Sequence, residues 1–74
     1  MRMYEAATIV LRDAGKPMHA RDICKEIERR GLFRFGAKKP VSVLSQTLRE
    51  KSDVGPVRGQ PLFIQTAPGT YKLP

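Results

Sequence analysis

The sequence has few of the residues that staple small chains together. It carries one cysteine, Cys24, and one histidine, His19. No internal disulfide can close, and no set of Cys and His ligands exists for a structural metal. A chain of 74 residues buries only ~60% of its unfolded surface, and an unstapled core of this size contributes about 3–5 kcal/mol of net stability. The lone thiol fits a reducing compartment. Long apolar runs are missing as well. Nothing approaches the ~18 uninterrupted apolar residues of a membrane span, and Glu5, Arg12 and Asp13 break the N-terminal run that a secretory signal requires. Helical periodicity starts at Met3, so no targeting segment is expected ahead of the fold, and the chain reads as soluble and intracellular. It contains no internal repeat and no low-complexity tract.

Acidic residues are scarce too, seven against 14 Lys and Arg, for a formal net charge of +7. The imbalance is uneven. Residues 1–30 hold seven Lys/Arg and five Asp/Glu, whereas residues 31–74 hold seven and two. Such a field attracts phosphate polyanions and speeds encounter with them. An acidic protein or an anionic lipid surface also responds to it, so charge narrows the partner without choosing it. Nor do the acids pair for hydrolysis. Glu26 and Glu28 sit among Lys25, Arg29 and Arg30 as solvated ion-pair partners, and no carboxylates converge with a lysine as a metal nuclease requires. No enzyme activity, metal or cofactor is expected.

What is present is helical periodicity followed by strand signals. Residues 3–14, "MYEAATIVLRDA", fit an amphipathic helix with Tyr4, Ala7, Val10, Leu11 and Ala14 on one side. Gly15 stops it, Pro17 prevents its continuation, and Met18 is expected to point inward from a short extended link. A second helix follows in "HARDICKEIERRG". His19 stands at its N-cap, Asp22 in the place of a capping-box acid, Ile23 and Ile27 on the buried stripe, and Gly31 at its end. "LFRFGAKK" is a loop in which Leu32 and one phenylalanine are expected to fold back on the core. The third helix lies within "AKKPVSVLSQTLREK", with Pro40 at the first helical position, where its missing N–H costs nothing. "SDVGPVRGQP" is turn-rich and irregular, and "LFIQTA" and "TYKLP" form a hairpin across Pro68-Gly69 with Phe63, Tyr71 and Leu73 facing inward. This order predicts an α+β fold over residues 1–74, a single small winged helix-turn-helix. It has three helices, a short strand and a C-terminal β-hairpin wing, and the connection between helices two and three is longer than the tightest turns of that motif.

The third helix has two unlike sides. At ~100° per residue, Val41, Leu44 and Leu48 fall within about a sixth of the turn. Ser42, Ser45, Gln46 and Arg49 gather on nearly the opposite arc. Short hydroxyls with one amide and one guanidinium differ from the Glu/Lys coat of an ordinary surface helix. Glutamine can bond adenine bidentately, arginine can do so to guanine, and serine permits close approach. Lys38 and Lys39 precede this helix, and Arg58 and Lys72 lie near or on the wing, where each can clamp phosphate. Backbone N–H groups at the start of the helix add a further anion contact. The plain alternative is a solvated face short of glutamate and a set of solubilising cations. Which of the four helix residues touches bases and which touches phosphate stays open.

"EAATIVLRDAGKPMHARDICKEIERRGL" resembles the opening of the HARE-HTH family, with its alanine-rich first helix, Gly-Lys-Pro-apolar link and closing Gly-Leu. The resemblance continues through Pro40, Leu44 and Leu48 and ends in "FIQTAPGTYKL", whose Phe63, Pro68, Gly69, Thr70, Tyr71 and Leu73 match the family's terminal hairpin in spacing. Lys39 stands where the family often has a capping threonine, and the segment between Lys51 and Leu62 is richer in Gly and Pro. The resemblance implies a winged-helix module that binds double-stranded DNA or associates with chromatin. Such modules accompany restriction enzymes, chromatin regulators and an RNA polymerase subunit, usually attached to another activity and not catalytic themselves. It places the module in the cytoplasm, at the nucleoid or chromatin.

The remaining candidates have plainer roles. His19 and Asp22 are accounted for by capping. Cys24 is a small apolar group with no base beside it. Tyr4, Phe63 and Tyr71 suit core or hairpin positions better than base stacking. Phe33 and Phe35 are left open. An exposed apolar patch of Phe33, Phe35 and Val57 would instead mark a module that docks a polymerase or chromatin subunit through the Leu32–Phe35 loop or the wing.

Overall fold

The computed structural model describes every residue from Met1 to Pro74. Its first helix, α1 (Met3–Ala14), opens with the Arg2 N–H donating to Glu5 Oε1 at 2.7 Å and stops at Gly15. The two residues after Pro17 form strand β1 (Met18–His19). His19 then caps α2 (Ala20–Arg30), its Nδ1 accepting the Arg21 N–H at 3.1 Å. The box expected of Asp22 does not form, because the cap bond goes to the second helical N–H and not to that of Asp22 at the third. Helix α2 ends at Gly31, and α3 (Pro40–Glu50) begins with Pro40 as expected. Strands β2 (Ile64–Ala67) and β3 (Thr70–Lys72) complete the chain.

Twelve apolar residues make the core, and every helix contributes. Helix α1 supplies Ala6, Ala7, Val10 and Leu11, α2 supplies Ala20, Ile23, Cys24 and Ile27, and α3 only Leu44 and Leu48. Phe63 and Tyr71 close it from the hairpin. Small alanines on α1 and α2 let those helices approach closely. Two expectations fail at helix ends. Ala14, in the last turn of α1, is exposed, while Ala6 is buried in its stead. Val41 is 36% exposed and Val43 38% exposed, because α3 meets the core along its middle and leaves the turn from Val41 to Val43 outside. Both phenylalanines of the loop pack against the core, not one, with their rings edge to face at 5.2 Å.

The strands form one antiparallel sheet in the order β1-β3-β2. Met18 pairs with Tyr71 and His19 with Thr70, and on the other side Ile64 pairs with Lys72 and Gln65 with Tyr71. A register shift between Gln65 and Ala67 leaves Thr66 as the extra residue of a bulge. Gly69 takes a φ of 76° in the two-residue turn, which a β-carbon disfavours. Its carbonyl accepts the Ala20 N–H at 2.9 Å, and the His19 ring lies against it. The hairpin tip is therefore fastened to the start of α2.

The Gly/Pro-rich segment has more order than its composition suggests. Ser52 and Phe63 bridge in parallel, and the Lys51 carbonyl accepts the N–H groups of Leu62 and Phe63 at 2.9 and 3.3 Å. Ser52 is fully buried, its Oγ donating to the Arg49 carbonyl at 2.7 Å and accepting the Val54 N–H at 3.4 Å. These bonds close residues 53–61 into a loop that lies back on the end of α3. Gly55 permits the approach, since a β-carbon there would collide with the carbonyl oxygens of Arg49 and Glu50.

Candidate nucleic-acid interface

Helix α3 is held from three sides, and this decides which of its side chains are free. Leu44 and Leu48 are fully buried, Ser52 and Gly55 tie down its last turn, and the Tyr71 ring from β3 comes up beside Ser45 and Arg49. Burial pushes the Tyr71 phenol up from its ordinary pKa, and the Arg49 charge and the Ser45 hydroxyl pull partly the other way. Ser45 is accordingly half-buried, at the border between core and face. Ser42, Gln46 and Arg49 are exposed. Gln46 Nε2 donates to Glu50 Oε1 at 3.2 Å, so one end of the amide is engaged along the helix and an acid stands on the same face.

The start of α3 offers fewer backbone donors than the sequence implies. Lys39 is the N-cap, and no side chain caps the helix. Pro40 lacks an N–H, while the N–H groups of Ser42 and Val43 both turn back to the Lys39 carbonyl at 3.1 and 3.3 Å. Only the Val41 N–H remains free, so the anion-binding capacity there rests mainly on the exposed ammonium groups of Lys38 and Lys39. The first turn carries no acid to neutralise them. Arg58 is exposed on the loop that folds back over α3.

Ion pairing separates the two halves of the chain more sharply than the charge count does. Every salt bridge lies at the ends of α1 and α2. Glu26 accepts both Arg29 Nε at 3.0 Å and Nη2 at 2.9 Å, Arg30 Nε also reaches Glu26 at 3.0 Å, and Arg30 Nη1 meets Asp13 at 2.6 Å. The hydrogen bonds from Arg29 are the main reason that the Glu26 carboxyl falls from 4.5 to about 2. The same contacts raise the pKa of both guanidinium groups. Lys38, Lys39, Arg49, Arg58 and Lys72 take part in no salt bridge. Lys51, the other cation at this end, sits 4.8 Å above the Tyr4 ring.

Lys72 is the candidate that the structure sets apart. It ends β3 opposite Ile64, away from the turn, and shares a shallow recess with Arg12, Lys16 and Pro17 and with no residue of α3. Sequence patterning had no means of joining Arg12 and Lys16 to it, since the antiparallel register of β1 and β3 creates the proximity. It also missed Ser52, which reads as one more polar residue in a turn-rich stretch. Phe33, Phe35 and Val57 are all half-buried, so they do not make the exposed apolar patch that a docking module would present. Burial, with a hydrogen bond to Glu28 at 3.3 Å, lifts the Cys24 thiol to about 11. No group of three or more His, Cys, Asp or Glu side chains gathers to hold a metal ion, and no helix is long and apolar enough to cross a membrane.

Comparison with known proteins agrees with this geometry. The HARE-HTH family model, the helix-turn-helix domain of ASXL proteins and restriction endonucleases, matches residues 1–74. Comparisons with curated proteins and with solved structures found no match. A match over the whole chain, on three helices and a three-stranded sheet, places the protein in the HARE-HTH family of DNA-binding winged-helix domains.

Proposed function

We propose that residues 1–74 act as one module on double-stranded DNA, with α3 lying in the major groove. The observation that carries this is the contrast in pairing. Cations at the ends of α1 and α2 are neutralised internally, whereas Lys38, Lys39, Arg49 and Arg58, before, on and beyond α3, are exposed and unpaired. Phosphate neutralisation by these four supplies most of the affinity. Ser42 and Gln46, beside the projecting first turns, face the base edges, and Ser45 sets the tilt of α3 through Tyr71. The amide of Gln46 leaves Glu50 when it engages a base. The hairpin brings no cation near its tip, so Thr66 to Pro68 touch the flanking backbone through uncharged groups. Non-specific affinity is expected at ~10⁻⁴–10⁻⁶ M under physiological salt. A module this modest works attached to, or beside, a partner of a transcription, chromatin or restriction system in the cytoplasm or at the chromosome.

Chemical-shift mapping with unlabelled duplex tests the proposal. The amides of residues 38–49 and 58 should move together, and the double variant Gln46→Ala/Arg49→Ala should keep the fold and lose the response. Shifts confined to residues 32–35, or unchanged affinity in the double variant, would remove α3 from the interface.

A further inference from the structure

We propose that the recess between the end of α1 and the end of β3 is a docking site for an acidic peptide segment bearing an apolar side chain. Leu11, Arg12, Gly15, Lys16, Pro17, Lys72 and Leu73 line it. Its floor is apolar: Leu11 is buried, Leu73 is half-buried against the core and Pro17 is exposed at the edge. Its rim is cationic. Arg12 and Lys16 stand four residues apart across the end of α1, and the pairing of Met18 with Tyr71 brings Lys72 alongside Pro17 from the other wall. All three cations are exposed, and none takes part in a salt bridge. The nearest acid on α1, Asp13, is committed to Arg30.

The chemistry of the recess distinguishes a peptide from nucleic acid. A phosphodiester backbone neutralises cations on a convex edge and brings nothing apolar to fill a hollow. Leu11, Pro17 and Leu73 ask for a hydrocarbon group, and the cations around them ask for carboxylates on either side of it. The site also lies at a helix C-terminus, where the partial negative charge of the last carbonyls weakens attraction for a bare phosphate and offers acceptors to peptide N–H groups. No residue of α3 lines the recess, so it can be filled while α3 is engaged. The inference stands apart from the DNA proposal.

The probe is a short fluorescent peptide of repeating Glu-Asp-Leu, titrated into the isotope-labelled protein. The amides of Arg12, Lys16, Lys72 and Leu73 should shift, and those of Ser42 to Arg49 should stay. The double charge reversal Lys16→Glu/Lys72→Glu should weaken binding about tenfold, with far-UV circular dichroism and duplex shifts on α3 unchanged. A peptide of Gln-Asn-Leu should not bind. Equal binding of that neutral peptide, wild-type affinity in the double reversal, or displacement of the peptide by duplex DNA acting on the same amides would each overturn the proposal. Failure of α3 to respond to duplex would leave it standing.

Discussion

The steepness with which DNA binding falls as salt rises follows from counting free cations around α3. Lys38, Lys39, Arg49 and Arg58 are exposed and form no ion pair, while Lys51 is held over the Tyr4 ring and is not counted. If each neutralises one phosphate, the logarithm of the association constant should fall against the logarithm of salt concentration with a slope of about −3.6. Between ~50 and ~200 mM salt that is a loss of about 150-fold. Anisotropy titration of a labelled duplex at several salt concentrations measures the slope. Arg49→Ala and Lys38→Ala should each make it shallower by about 0.9. Gln46→Ala should lower affinity at every salt concentration and leave the slope where it was, because it removes a hydrogen bond and no charge. Arg29→Ala is the control: its charge is spent on Glu26, so the slope should hold. A wild-type slope shallower than about −1, or an effect of Arg29→Ala as large as that of Arg49→Ala, would refute the assignment of the free cations to the interface.

Further consequences concern the scaffold. The Glu26 carboxyl should titrate near 2 in a carbon-detected NMR series, against 4.5 ordinarily. Since its folded pKa is depressed, its ion pairs favour the fold above about 4.5 and that contribution is lost as pH falls toward 2; a midpoint at the ordinary value would mean the Arg29 and Arg30 contacts do not persist in solution. Cys24, buried and lifted to about 11, should resist alkylation at pH 8 until denaturant is added, and rapid labelling of the native protein would show that α2 does not stay packed. Gly55→Ala places a β-carbon against the Arg49 and Glu50 carbonyls and should cost about 1–3 kcal/mol in denaturant unfolding. A change below ~0.5 kcal/mol would mean that the loop does not rest on α3.

Local signals along the chain carried most of the secondary structure. The bounds of α1 and α2 follow from Gly15, Pro17, His19 and Gly31, each a stop or a cap by its own backbone chemistry. Pro40 marked the start of α3 and Pro68-Gly69 the turn of the hairpin. The inward positions of Ile23, Ile27, Leu44, Leu48, Phe63 and Tyr71 came from periodicity alone. Periodicity failed at Ala14 and Val41 because it assumes that a helix is covered along its whole length. In so small a domain the end turns stand clear of the core. Asp22 failed for a neighbouring reason, since the His19 ring reaches only the second N–H of α2.

The candidate site divides the same way. Side-chain chemistry marked Ser42, Gln46 and Arg49 before any coordinates, because exposure on an amphipathic helix is a local property. Ser45 and Lys72 were not decided locally. Tyr71 reaches Ser45 from a strand 26 residues further along the chain, and Lys72 joins Arg12 and Lys16 through strand pairing. By itself, then, the sequence determined where the helices and the hairpin lie, which residues they bury, and that positive charge exceeds negative in the second half. Tertiary structure decided which charges cancel, since an ion pair depends on distance through space and not on order along the chain. It also decided that the hairpin tip is tied to α2 and that the basic residues fall into two separate groups.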